Sequence, residues 1–239
     1  MNNAQAVPVV ALDGPGGAGK GTLGQALALR LGWHYLDSGA LYRAVALCAQ
    51  RQNIGDDDRA GLENIAETLD FACFPGADGE AKILLGGHNV SVELRSEECG
   101  AAASVLAARP ELRNILLNSQ RAARQPPGLV ADGRDMGSVV FPDAVLKVFL
   151  TASPEVRAVR RYKQLKNKGL DVNLPRLERV IRDRDRRDSE REVAPLQAQS
   201  DAILVDTSTM QAEEVLQFVI SRLRRRLDCI LGNCRIGAE

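Results

Sequence analysis

The chain has no surplus of either charge: 31 lysines and arginines face 31 aspartates and glutamates over 239 residues. That balance excludes a generalised nucleic-acid or membrane footprint and confines any anion binding to a local cradle. The sequence lacks any run approaching the ~18 apolar residues of a membrane span. Its first residues, MNNAQAVP, carry neither a basic segment nor the hydrophobic core of an export signal, so a cytoplasmic location is expected. Histidine is nearly absent. His34, in a short apolar run, and His88, after Gly86-Gly87, have no partner for a metal site or a triad and read as packing or surface residues. The cysteines Cys48, Cys73, Cys99, Cys229 and Cys234 are odd in number, scattered and without C-x-x-C spacing, which argues for structural or incidental roles rather than a zinc or disulfide site. There is no internal repeat or low-complexity tract. What is present is 45 % hydrophobic content, enough to bury a full core in one α/β domain with excursions or in two small ones.

The most informative stretch is VVALDGPGGAGKGT, Val9 to Thr22, an apolar strand running into a glycine-rich turn with one lysine. Gly14, Gly16, Gly17 and Gly19 allow positive φ angles and bring backbone N–H groups close to an anion. Lys20 adds a point charge for β- and γ-phosphates. The helical spacing after it aims the positive end of a helix dipole at the same anion. The general phosphate-loop pattern, G-x-x-x-x-G-K-[ST], places a metal-binding hydroxyl after the lysine; here Gly21 fills that slot and Thr22 follows. A direct metal ligand from the loop is therefore not expected, and the GKGT ending resembles nucleoside monophosphate kinases, where the metal is held largely through water.

Strand-like runs at 7–13, 34–37, 128–132, 144–150 and 202–206 alternate with helix-length segments, which predicts a parallel sheet covered on both faces. Between the second and third runs lies an excursion, 41–127. It holds three β-like stretches, 69–74, 80–85 and 88–95, separated by PGADG and GG turns, a pattern that predicts a small antiparallel meander. Ligands of open parallel sheets lie beyond the carboxyl ends of the strands, so an excursion leaving from there is placed to hold a second substrate.

Three further motifs carry charge to those strand ends. LDSGALYR, Leu36 to Arg43, leaves a strand and enters a helix that Asp37 or Ser38 can cap, at a strand end expected to adjoin the glycine loop. LVADGRDMG, Leu129 to Gly137, delivers Asp132, Arg134 and Asp135 within four residues, and an apolar strand ending in aspartate suits a metal's water shell. RDRDRRDSER, Arg182 to Arg191, puts Arg184, Asp188 and Arg191 at i, i+4 and i+7, one helix face with two guanidinium forks around a carboxylate. The preceding helical stretch, 154–168, sets Arg157 and Arg161 on one face and is a candidate lid. The basic segment Arg222 to Leu227 reads as the polar face of a last helix rather than a nucleic-acid patch.

Together GPGGAGKGT, LDSGALYR, ADGRDMGSVVFPDA and RDRDRRD resemble the bacterial cytidylate kinases, in order and spacing, across nearly the whole chain. The resemblance implies a P-loop kinase core (1–40 and 125–239), a monophosphate-binding domain (41–124) with its β insert at 69–95, and a lid at 155–170. It implies ATP and CMP or dCMP as substrates, Mg²⁺ as cofactor, no nucleic acid or membrane partner, and a monomer. By position, Gly14, Pro15, Gly16, Gly17, Ala18, Gly19, Lys20, Gly21 and Thr22 with Arg157 would hold ATP. Ser38, Arg43 and Arg134 would contact the acceptor phosphate, Arg184 and Asp188 the ribose, with Arg191 toward the phosphate. Ser104, Arg113 and Asp135 would read the base. Lys20, Arg161, Arg134 and Arg191 would act on the transferred phosphoryl group, and Asp132 on the metal through water.

Cytosine's pairing edge fits those base readers. It offers two acceptors, O2 and N3, which arginine and serine can serve, and the N4 amino donor, which a carboxylate accepts. Uracil reverses two of these and leaves buried groups unpaired. Another P-loop kinase, for UMP or shikimate, has no reason to carry ADGRDMG. A nucleotide switch would need an N-K-x-D type signature, which the sequence lacks.

Overall fold

In the computed structural model, which describes residues 7–77, 79–167, 169 and 171–230, strand β1 (Val9–Asp13) is buried along its whole length because it lies mid-sheet. It pairs in parallel with β6 (Leu129–Asp132) on one side and β7 (Leu146–Thr151) on the other. β2 (His34–Asp37) adds to β6 and β8 (Ile203–Asp206) to β7, giving the parallel order β2-β6-β1-β7-β8. β6 thus stands between β2 and β1, which corrects the expectation that the end of β2 adjoins the glycine loop directly. Side chains of β1 alternate between two cores, as the strand's period of two requires. Val10 and Leu12 pack with Leu23 and Leu27 of α1 (Lys20–Leu31) and with Val219 and Leu223 of α8 (Ala212–Ile230). Val9 and Ala11 pack with Met136, Val140 and Phe141 on the opposite face. Burial of each of the valine, leucine, methionine and phenylalanine side chains among them is worth about 1.5–3 kcal/mol relative to exposure.

The excursion after β2 consists of α2 (Ser38–Arg51), α3 (Arg59–Glu67), the strands β3 (Phe71–Phe74), β4 (Lys82–Leu85) and β5 (His88–Asn89), then α4 (Glu97–Leu106) and α5 (Pro110–Ala122). β3-β4-β5 form the expected separate antiparallel sheet. The third stretch is shorter than 88–95, because Asn89 Oδ1 accepts from both the N–H and the hydroxyl of Ser91 and turns the chain, and Glu93–Arg95 form a 3₁₀ turn. Buried Gln25 on α1 fastens the hairpin loop, donating to Gly79 O (3.0 Å) and accepting from the Gly76 N–H (3.1 Å).

After β7 come α6 (Pro154–Asn167) and α7 (Leu174–Ser189), which pack on each other. α8 buries Val215, Leu216, Val219, Ile220 and Leu223 and exposes Arg222, Arg224, Arg225 and Arg226, the polar face expected of a last helix. Cys48, Cys73 and Cys99 are free thiols. Cys229 is disulfide-bonded, which corrects the expectation of no disulfide site; Cys234 lies outside the described residues, as does the tail from 231 onward. Among the described residues no helix is long and apolar enough to cross a membrane.

Candidate active site

The glycine loop follows β1 at the carboxyl edge of the sheet. Gly14 has φ +141°, and a Cβ there would stand 2.0 Å from the Leu150 carbonyl oxygen, so the loop can lie against β7 only without a side chain. Gly17 and Gly19 also take positive φ, and Gly19 is the N-cap of α1. Gly16 does not take that conformation; it provides space instead. A Cβ on it would lie 3.4 Å from Arg134 Nη2 and 3.7 Å from Arg184 Nη1, so two guanidinium groups stand against the loop. Ala18 is fully buried and its carbonyl accepts from the Thr207 hydroxyl (2.9 Å).

Lys20 Nζ is buried, donates to the Pro15 carbonyl (3.1 Å) and lies 3.7 Å from Asp132 Oδ1. Burial pushes the ammonium pKa down, Arg134 and Arg184 push it further, and Asp132 opposes them. Burial pushes the Asp132 carboxyl up, with Lys20 opposing; Tyr35 donates its hydroxyl to the other carboxylate oxygen (3.3 Å). A Cβ on Gly21 would be 3.6 Å from that oxygen, and Thr22 is exposed on the first turn of α1. Among the described residues no cluster of three or more His, Cys, Asp or Glu side chains could hold a metal. One buried carboxylate in the cradle fits a magnesium ion held chiefly by phosphate oxygens and water.

Across from the glycine loop, Asp37 caps α2 by accepting the Ala40 N–H (2.9 Å), which leaves the buried Ser38 hydroxyl free of that task. Gly133 permits the close approach, since a Cβ there would be 2.6 Å from Ser38 Oγ. Arg43 donates to the Leu94 carbonyl (2.5 Å) and lies against Gly100. Arg134 Nε donates to Asp188 Oδ2 (2.8 Å). Burial alone would raise the Asp188 carboxyl, but Arg134, Arg184 and Arg191 outweigh it and hold it below the ordinary carboxylate range. Burial, then Arg134, lowers the Arg184 guanidinium to about 10, against the pull of Asp188. Arg113 and Asp135 form a buried ion pair, and Arg113 also donates to Ala107 O (3.0 Å). Burial raises the Asp135 carboxyl, with Arg113 the leading opposing charge.

Arg191 is not on the helix face expected of it. α7 ends at Ser189, the chain turns through Ala194 at positive φ, and the Leu196 N–H returns to the Asp188 carbonyl. The guanidinium nonetheless folds back, its Nε donating to the Asp188 carbonyl (3.3 Å).

Three buried side-chain polar atoms among the described residues have no hydrogen-bond partner: Ser104 Oγ on α4, Arg184 Nε and Arg191 Nη2. An unpaired buried donor costs about 1–3 kcal/mol. Two of these atoms belong to guanidinium groups beside the Arg134–Asp188 pair, and Arg184 also stands against the glycine loop that carries the buried Lys20, an arrangement suited to an anionic ligand.

Arg157 and Arg161 of α6 both have partners. Arg157 is buried and donates to Asp185, to Gly16 O (3.1 Å) and to Ala152 O (2.9 Å), clamping the glycine loop to α7. Arg161 of α6 pairs with Glu97 of α4. Sequence reasoning missed Asp185, Glu97 and Asp13, whose carboxylate accepts two backbone N–H groups. Only Asp13 left a signal, as an acid ending a fully apolar strand.

A family model described as cytidylate kinase matches residues 10–225. A cytidylate kinase of Methylococcus capsulatus (strain Bath) is 54 % identical over 215 residues, spanning 90 % of this chain and 96 % of that one. One from Aeromonas hydrophila subsp. hydrophila is 52 % identical over 229 residues, 96 % and 99 % of the two chains. Among solved structures, an uncharacterized protein from Eubacterium ventriosum has a TM-score of 0.50 at 12 % identity, covering 92 % of this chain and 99 % of that one, a likeness of fold alone.

Proposed function

The chain belongs to the cytidylate kinase family, a group of nucleoside monophosphate kinases, and from that premise we propose that it transfers the γ-phosphoryl group of ATP to CMP or dCMP, releasing ADP and CDP or dCDP. The observation that carries the reading is the set of buried, unpartnered atoms Arg184 Nε, Arg191 Nη2 and Ser104 Oγ, the first two next to the Arg134–Asp188 pair. Each is a polar group whose partner is the substrate.

Transfer between two phosphates brings anions together in line, through a loose transition state with its charge on peripheral oxygens. Gly14 to Thr22 cradle ATP and Lys20 meets the transferred group. Arg43, Arg134 and Ser38 orient the acceptor phosphate, Arg184 and Asp188 the ribose, and Arg113, Asp135 and Ser104 the base. Arg134 and Arg184 stand against Gly16, so ATP and acceptor phosphates would meet between lysine and arginines, and catalysis is chiefly positioning and electrostatics. The acceptor is already an ionised phosphate, so no strong base is needed. Kinases of this family use ATP with Mg²⁺; when bound, the ion neutralises phosphate charge, and Asp132 would hold it through water. Lid closure excludes water that would otherwise hydrolyse ATP.

Arg161 is held by Glu97 in an exposed pair, which costs little to open. Once released it reaches the transferred group from the lid. Arg161→Ala is therefore expected to lower kcat about 10²-fold with KM for CMP little changed; an unchanged kcat removes it from the transition state.

The function is tested by ADP release with ATP and Mg²⁺ against equal concentrations of CMP, dCMP, UMP, AMP and GMP. Turnover confined to CMP and dCMP is expected. Turnover with another monophosphate keeps the kinase core and discards the base-site assignment, and none with any of the five overturns the reading.

A further inference from the structure

We propose that Asp13 is a positioning residue for the acceptor nucleotide, a clasp that sets the orientation of Arg134 and Asp135 from the strand that leads into the glycine loop. The inference rests on the acceptor site proposed above. Asp13 is buried at the end of β1, and both of its carboxylate oxygens are used: Oδ1 accepts the Met136 N–H and Oδ2 the Gly137 N–H, each at 2.8 Å. Those two N–H groups open the single wide turn Met136–Val140, and the first N–H groups of any helical turn have no partner within it. Asp135 occupies the N-cap position, where aspartate ordinarily supplies that partner. Here it makes no capping bond; its carboxylate is turned to Arg113 instead. Asp13 caps the turn from 123 residues away in sequence and so leaves Asp135 free for the base.

Gly137 makes the convergence possible, because a Cβ there would lie 3.3 Å from Asp13 Oδ2 and 3.1 Å from the aliphatic stem of Lys147. The clasped segment begins one residue after Asp135 and two after Arg134, so a tilt at Met136 moves both side chains. The residue on the other side of Asp13 is Gly14, the first of the ATP cradle. One carboxylate therefore fixes the spacing between the ATP cradle and the acceptor-reading segment.

Asp13→Asn keeps the size of the side chain but offers one acceptor where two N–H groups arrive, and its own N–H₂ faces the second. One buried N–H then loses its acceptor, so the thermal midpoint is expected to fall by about 2–12 °C, and the Michaelis constants, read on the folded enzyme, carry the test. KM for CMP should rise about tenfold, with KM for ATP within about twofold, and the CMP-to-UMP ratio of kcat/KM should fall. Gly137→Ala presses the same clasp from the other side and should raise KM for CMP about threefold by the same split. A purely structural role predicts the lower midpoint and fewer active molecules with both KM values unchanged, and unchanged KM values in both variants, or an equal rise in both, overturn the proposal. Wild-type turnover is measured alongside. If the wild type uses another monophosphate, the proposed substrate is wrong and the clasp is judged on the KM for that acceptor, where an unchanged value in both variants overturns it.

Discussion

Lys20→Met is expected to lower kcat by about 10³-fold, a loss of the size that follows removal of one preorganised charge from a water-excluded site. The lysine is buried in the cradle and no neighbour can take its place. Arg134 and Arg184 stand beside the loop, but Arg134 is committed to Asp188, and the proposed function assigns both to the acceptor. The substitution also strips Asp132 of the cation 3.7 Å from its carboxylate. Breaking a buried pair by removing one partner costs about 3–5 kcal/mol when the remaining charge stays ionised. Asp132 has an escape, since burial already raises its pKa and Lys20 is its leading counterweight; without the lysine it rises further and takes up a proton. Lys20→Met combined with Asp132→Asn should therefore recover thermal stability without recovering kcat. The pH profile gives a second check. Burial and Arg134 lower the Lys20 pKa, so in the wild type ATP binding weakens as pH rises through that lowered value, and Lys20→Met loses this alkaline limb. A variant that keeps wild-type kcat removes Lys20 from the transition state.

Much of the site can be traced in the chain itself, because the strands that carry it are buried and apolar and the residues that leave them are charged. β1 and β6 stand out since Val9 to Leu12 and Leu129 to Ala131 are wholly buried, which only an unbroken apolar run permits in a parallel sheet. What escaped depends on partners distant in sequence. The wide turn Met136–Val140 follows an aspartate that looks like its cap, yet the cap comes from Asp13. Arg157 carries a free-looking charge in the sequence of α6, and its commitment to Asp185 and Gly16 exists only once α6 lies on α7. Helical periodicity places Arg191 on the face of Arg184 and Asp188, but the helix stops at Ser189 and the guanidinium reaches Asp188 by a turn. The order of strands is a further case: β6 separates β2 from β1, because sheet order is set by crossovers that local patterns do not record.

The second large effect is one of choice rather than speed. Asp135→Asn is expected to lower the CMP-to-UMP ratio of kcat/KM by about 10²-fold or more, given that a site built around a substrate's hydrogen bonds rejects the analogue lacking them by about 10⁴-fold. The carboxylate accepts only, which suits the cytosine N4 amino group and opposes the uracil O4. An asparagine amide can turn either its oxygen or its N–H₂ toward the base and so accepts both. The change also leaves buried Arg113 with the Ala107 carbonyl and no carboxylate, so a lower melting temperature accompanies it. That loss does not enter the comparison, because both substrates meet the same folded population and the ratio cancels it. In the free protein Arg113 and Asp135 satisfy each other, and cytosine can enter without stranding either charge: O2 and N3 accept from the arginine side while N4 donates to the carboxylate. Uracil offers the carboxylate an oxygen and the arginine an N–H, so both buried charges lose a partner at once. If Asp135→Asn rejects UMP as strongly as the wild type does, discrimination lies elsewhere and the base-reading role of Asp135 is wrong.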